Sequence, residues 1–505
     1  MSSPLIVEKV KLNASPVCVY AAFKDSPYSF FLDSALSSPP ALDSTRSGRG
    51  RFSFIGTEPF LIFKSKKDRI VLDWITGKER LRGNPFFVLK DLFAKFKINP
   101  QNCNIPFTGG GVGYFSYELK EFNEPCLRTH SSDGRSSVRG PGEIDIPDCI
   151  FCFYDIILAF DHASREFFAV STGFPEKGRR RPYRQRARLE KLKNRLTKIT
   201  TAPVFHRDIT GKIQDEHRTH FRSNFTKDSY IKTVKKAKEY IKSGAIYQVN
   251  LSQRFKITLN TDPFEIYKIL RTINPAPFAS FLNFGDIKIA SASPERFLKK
   301  DGRYIETCPI KGTRSRGENF AEDAKLKKEL ISSAKDRSEN LMIVDLERND
   351  LGRICEYASV RVSEFIACEE YATVFHLVST VEGRLRKDIS AVDCLIKCFP
   401  GGSITGAPKI RSMEIIEELE PHGRSIYTGS VGYIGFDGSM DTSIFIRSFI
   451  IKGKEAYFQV GGGIVYDSDP EKEYQETLDK AKALMEAIRL STVIGKRPKA
   501  GEAVR

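Results

Sequence analysis

Two hydrophobic rhythms run along this chain. A period near two, in which alternate side chains face opposite sides of a sheet, marks Arg51-Phe52-Ser53-Phe54-Ile55-Gly56, Pro59-Phe60-Leu61-Ile62-Phe63-Lys64 and Ile287-Lys288-Ile289-Ala290-Ser291-Ala292 as strands, and the apolar run Ile146 to Tyr154 as a buried one. A period near 3.6 predicts helices over Ala324 to Arg348 and Lys409 to Glu420. A final helix is entered through Asp469 as its cap, with Pro470 in the first turn. Strands and turns dominate before residue 172, and strands and helices mix after residue 225. The glycine run Thr108 to Tyr114 lacks the Lys-Ser/Thr ending of a phosphate loop, so close backbone packing is its expected purpose.

With 505 residues, 40% apolar and 28% charged, the chain can build a substantial core. No run approaches the roughly 20 apolar residues of a bilayer span, and Met1 to Lys11 lacks the pattern of a signal peptide. The expectation is a soluble, cytoplasmic protein without a membrane partner. The ten cysteines form no metal ladder, and Cys149 and Cys152, the one C-x-x-C pair, fall on opposite faces of the expected strand. Cys394 and Cys398 read as packing residues.

The formal charge of +17 raises a nucleic-acid reading, but Lys177 to Lys198 alone carries eleven basic residues against Glu190. That stretch places leucines at helical spacing and has little aromatic interleaving, so it reads as a solvated basic helix on a linker or insertion rather than a nucleic-acid surface. It divides the chain into residues 1–172, a basic linker 173–224, a catalytic domain 225–492 and a tail 493–505.

Chemistry concentrates in the second half. Asp336 and Glu339, and again Glu473 and Glu476, stand three apart on expected helices, so each helix offers a carboxylate pair on one face. Two such faces at one pocket would suit Mg2+, which takes oxygen ligands and keeps several waters. Phe399 to Lys409 is a glycine-rich turn leading into a helix, and Val460 to Val465 is a second glycine run; both can present backbone N–H groups to an anion. Arg447 alternates with apolar neighbours, as a strand arginine aimed at a carboxylate would.

Together with Ser243 to Leu251, Ser293-Pro294-Glu295-Arg296-Phe297, Glu339 to Asp350 and Cys308-Pro309-Ile310-Lys311-Gly312-Thr313, these runs make the chain resemble the chorismate-utilising enzymes, most closely the aminodeoxychorismate synthase branch. The resemblance is dense from Tyr230 to Leu490 and weaker at Leu32-Asp33-Ser34 and Phe107 to Tyr117. It implies an α+β fold in which two large, mostly antiparallel sheets pack face to face with helices outside. It also implies that Glu339 and Glu476 bind Mg2+ directly, with Asp336 and Glu473 behind them through water. Asp336 stands where relatives carry glutamate. Substrate binding would fall to Ser403, Tyr427, Arg447, Lys480, Gln248 and the backbone near Gly461 and Gly463, and His376 matches an active-site histidine. Asp33 and Ser34 lie in a stretch where relatives hold tryptophan.

By the same resemblance, Glu295 is the acid that protonates the departing C4 hydroxyl of chorismate, provided burial raises its pKa. Gln248 stands where the isochorismate and salicylate branch has a water-activating lysine. Lys311 stands where anthranilate synthases have alanine, and its amine can attack C2 if desolvation lowers its pKa. Ammonia would then add at C4 and give 4-amino-4-deoxychorismate. The alternatives are anthranilate synthesis, with ammonia adding at C2, and an inactive regulatory or nucleic-acid-binding relative. No Gly-x-Cys-x-Gly turn is present, so a separate glutamine amidotransferase subunit, or free ammonia, must supply nitrogen. The stretch after the last helix is too short for a fused lyase releasing pyruvate, so 4-aminobenzoate and folate supply would need another protein.

Overall fold

The computed structural model describes residues 5–35, 50–99, 103–127, 142–199, 220–371 and 374–495. Two sheets of twelve strands each form the frame, and the strand pairings throughout are antiparallel. Each sheet mixes strands from before and after the basic stretch. Ser29–Asp33 pairs with Phe278–Asn283 in the first sheet, and Gly110–Phe115 pairs with Ser430–Gly435 in the second.

Side-chain alternation explains how the layers stack. Phe30 and Leu282 point into a core shared by the two sheets, while their neighbours Phe31 and Phe281 point outward to the helices Pro263–Ile273 and Pro470–Gly495. Phe30 meets Tyr154 of the second sheet edge-on at 4.7 Å, and Phe54 meets Tyr433 at 5.8 Å; such pairs add about 0.5–1.5 kcal/mol each beyond burial. On the far face of the second sheet lie Pro85–Lys95, Ala391–Cys398 and part of Ala334–Gly352. The expected α+β sandwich is the observed architecture.

Local expectations hold in several places. Cys149 faces the helix-covered core and Cys152 the inter-sheet core, and burial pushes both thiols up, that of Cys152 to about 12. Gly113 sits where an added Cβ would lie 1.8 Å from the Ile150 carbonyl, so its glycine serves close strand packing. Asp469 caps the last helix by accepting from the N–H groups of Glu471 and Lys472.

Two expectations need correction. The segment Ala324 to Arg348 is two helices, Phe320–Ser332 and Ala334–Gly352. Ser333 breaks them: its backbone is extended and its hydroxyl accepts the Asp336 N–H, which starts a new helix. The basic segment is a docked helix, Arg180–Leu196, not a solvated spacer. Leu189 and Leu196 are in the core, and Arg184 and Arg188 converge on the fully buried Asp155 at 2.8 and 3.1 Å. Arg181 lies over the Phe174 ring and Arg195 over Phe23. These four cations are held within the fold by a buried acid and by aromatic rings. Residues 200–219 of the expected linker 173–224 lie outside the described residues, as does most of the tail 493–505. Among the described residues no helix is long and apolar enough to cross a membrane.

Replacing Arg184 and Arg188 together by alanine leaves Asp155 buried and unpaired, and is expected to cost about 3–5 kcal/mol of stability in denaturant unfolding. A loss within the roughly 1 kcal/mol of surface ion pairs would mean that the helix is only a spacer.

Candidate active site

The site forms where the helix Ala334–Gly352, the helix Pro470–Gly495, the glycine strand Glu455–Ile464 and the strand Ile310–Ser315 come together. Backbone glycines make that approach possible. Gly312 has φ +84°, and an added Cβ would lie 3.1 Å from the Asp336 side chain, so the strand carrying Lys311 can press onto the helix carrying Glu339. In the strand Glu455–Ile464, a Cβ on Gly462 would lie 3.2 Å from Glu473 and 3.4 Å from Glu476, and one on Gly463 would collide with the Gln248 amide at 2.1 Å.

Lys311 is half-buried, and its ammonium donates to the Ser403 carbonyl at 3.0 Å. Burial pushes its pKa down, Glu339 and Glu295 pull it back, and Lys480 adds to the lowering; the net direction is down. Glu295 is buried, which raises its pKa against the opposing pull of the Ser403 hydroxyl and Lys311. Ser403 Oγ donates to Glu295 at 2.6 Å. An acid held up and an amine held down therefore share one residue between them.

The remaining polar groups line the same region. Arg447 has φ +54°, a left-handed backbone that aims its side chain, and its guanidinium donates to the Lys480 carbonyl at 3.0 Å. Among the described residues no carboxylate lies within ion-pair distance of it, so it is not consumed by a structural salt bridge. Tyr427 is buried and raised by burial, with Arg424 and Arg447 opposing. Lys480 pairs with Glu476 at 2.6 Å and donates to the Gly461 carbonyl at 2.9 Å. Gln248 is buried with its amide oxygen unpartnered. His376 shares a hydrogen bond with Thr313 through Nδ1 at 2.8 Å, and burial, helped by Arg447, drives its pKa to about 3. The ring is therefore neutral and can pass a hydrogen bond but carries no cationic charge.

The four carboxylates are held by cations of the chain itself: Asp336 by Arg314 at 3.0 Å, Glu339 and Glu473 by Lys335 at 3.8 and 3.9 Å, and Glu476 by Lys480. Burial raises Glu339 and Glu473. Burial also acts upward on Glu476, but Lys480 outweighs it and the net shift is downward. Among the described residues no three His, Cys, Asp or Glu side chains converge into a metal cage. Mg2+ takes only one or two carboxylates directly and keeps its waters, so this all-oxygen donor set fits it without such a cage.

Asp33 and Ser34 lie elsewhere. Asp33 is buried and accepts from Tyr267 at 2.9 Å and Arg271 at 2.7 Å, and it lines a separate cavity of about 370 Å³ with Phe54, Phe278, Ser280 and Arg296. The Ser34 hydroxyl is buried without a partner. Sequence reading missed Glu347 and the Asp350–Lys409 pair, which underlie the Ser403 turn. A signal existed: both acids occupy the stripe of that helix that also buries Ile343 and Leu351.

Comparison with known proteins gives consistent matches. The family model of chorismate binding enzymes matches residues 45–486. The chain is 36% identical to anthranilate synthase component 1 of Acetivibrio thermocellus over 96% of this chain and 95% of that protein. It is 38% identical to aminodeoxychorismate synthase component 1 of Bacillus subtilis over 89% and 91%. Among solved structures, anthranilate synthase component I from Streptococcus pneumoniae superposes with a TM-score of 0.70 at 31% identity, covering 88% of this chain and 94% of that one. The Escherichia coli menaquinone-specific isochorismate synthase shares the fold at TM-score 0.69 and 17% identity, covering 96% and 94%.

Amine-selective labelling mapped to Lys311 is expected to titrate below the usual lysine value near 10.4, and Glu339→Gln is expected to move the midpoint lower still, because a carboxylate that favours the ammonium is lost. A midpoint at or above the usual value contradicts this electrostatic picture.

Proposed function

We propose that this chain, which belongs to the chorismate-binding enzyme family, aminates chorismate at C4 as aminodeoxychorismate synthase component I, toward 4-aminobenzoate and folate. The observation that supports this reading is Lys311, an amine with a lowered pKa bonded to the residue that also bonds the candidate acid Glu295. An amine so placed is a nucleophile in its own right.

In this reading, Arg447 and Tyr427 grip the enolpyruvyl carboxylate, with Lys480 and the backbone at Gly461 and Gly463 nearby. Glu339 and Glu476, with Asp336 and Glu473 through water, are the residues that would hold Mg2+, whose charge would bind the ring carboxylate against these acidic helix faces. The neutral Lys311 amine attacks C2, the ring double bonds shift, and the C4 hydroxyl leaves as water with a proton from Glu295. Ammonia then bonds to C4, the double bonds shift back, the C2–nitrogen bond breaks to return the neutral Lys311 amine, and the new C4 ammonium gives a proton back to Glu295. One hydroxyl is exchanged for one amino group, and no oxidant is needed. His376, neutral and held by Thr313, orients the pocket without a charge of its own. Gln248 provides an amide rather than a base, which disfavours water as the nucleophile. A separate glutamine amidotransferase subunit is the proposed ammonia source.

The competing reading is anthranilate synthesis, favoured by the several relatives of 36–38% identity that carry that name. It makes no use of an enzyme amine. Incubating pure protein with chorismate, ammonium and Mg2+ is expected to give 4-amino-4-deoxychorismate and no fluorescent anthranilate. Lys311→Ala is expected to lower turnover about a thousandfold or more, and intact-mass analysis of the parent should reveal a ring adduct. Anthranilate as the main product, or full turnover by Lys311→Ala, refutes the assignment. Chelation of Mg2+ should abolish turnover and its return restore it.

A further inference from the structure

Beyond the groups that would meet substrate, the helix Ala334–Gly352 grips the turn that carries Ser403. Glu347 is buried and accepts the Gly402 N–H at 3.1 Å, and a backbone hydrogen bond from Ser403 acts on the same carboxyl. One turn further on, Asp350 pairs with Lys409, whose ammonium also donates to the carbonyls of Cys398 and Pro400 at 3.1 and 2.9 Å. The turn is thus held by its N–H groups at one end and by its carbonyls at the other. The fit is close enough that a Cβ on Gly402 would lie 2.6 Å from Leu346 and 3.1 Å from Glu347.

What this turn delivers is Ser403, whose hydroxyl meets Glu295 at 2.6 Å and whose carbonyl meets Lys311 at 3.0 Å. We propose that Glu347 is a positioning residue for the Lys311–Glu295 pair, acting through the backbone amides of Gly402 and Ser403. This rests on the reading of Lys311 as nucleophile and Glu295 as acid. Burial, with Asp350 adding and Lys409 opposing, pushes the Glu347 carboxyl above its ordinary value. A carboxyl here without its own cation is a costly way to fill space, since an apolar side chain of similar size avoids the desolvation of an acid. Its use is explained by the two amides it orders.

The test compares Glu347→Leu with Glu347→Gln in the full chain with Mg2+ and ammonium, following chorismate consumption and amide hydrogen exchange. The leucine variant is expected to lose about 10- to 100-fold in kcat, as loss of an orienting partner typically does, with KM for chorismate changed less than about threefold. Exchange at Gly402 and Ser403 should quicken at least about tenfold while the helix Ala334–Gly352 keeps its protection. Glutamine retains an acceptor oxygen and should restore kcat to within about threefold of the parent. Parental kcat, unchanged exchange at these two amides, or a loss confined to KM in the folded leucine variant overturns the proposal. If leucine prevents folding, Glu347→Asp, which withdraws the acceptor by one methylene, is read in the same way. Anthranilate as the parent's product would refute C4 amination and leave the exchange result standing.

Discussion

A lysine ammonium partly removed from water, with carboxylates near enough to oppose but not cancel the loss, is the interaction on which the rest of the site depends. Desolvation of an ion costs several kcal/mol in a protein, and a carboxylate at about 4 Å returns roughly 4 kcal/mol in partly screened surroundings. At Lys311 the desolvation outweighs the carboxylates, and the pKa lies below its ordinary value. A tighter pair with Glu339 would fix the ammonium and remove the nucleophile. The Ser403 carbonyl holds Lys311 Nζ without adding an ionic partner, which keeps the balance adjustable.

Achieving that balance requires elements from distant parts of the chain at very close range, and missing side chains supply the room. Gly312, Gly402, Gly462 and Gly463 each stand where a Cβ would press on a residue of the site: Asp336, Glu347, the Glu473 and Glu476 pair, and Gln248. The charges gathered there are neutralised locally by Arg314, Lys335 and Lys480. An acidic pocket can thereby exist before any ligand arrives, and a positive ligand would exchange with these side chains rather than enter an empty field.

Much of this was legible in particular residues. The alternation around Cys149 and Cys152 assigned them to opposite faces, and Asp469 with Pro470 marked a helix start, because both depend on local backbone geometry. The break at Ser333 was missed, since apolar periodicity continues through it and only the cap hydrogen bond to Asp336 reveals two helices. The basic helix was misread because composition counts charges without their partners. Asp155, which takes Arg184 and Arg188, lies in another strand region and looks like an ordinary acid until the two are brought together. Glu347 and Asp350 escaped notice because acids in a helix are read as surface unless their stripe is known to be buried.

The sandwich class was implied by the family resemblance of the motifs; by itself the sequence determined the carboxylate pairs, the glycine runs and the presence of an amine at position 311. Each follows from residue type and spacing, which short-range geometry translates directly into structure. Only the tertiary structure decided which charges neutralise one another, that Ser403 bonds both Lys311 and Glu295, and that the basic stretch docks as a helix on a buried acid. Those outcomes depend on distance and burial between segments far apart in the chain, and the electrostatic energy of a side chain is set by its neighbours in space rather than by its neighbours in order.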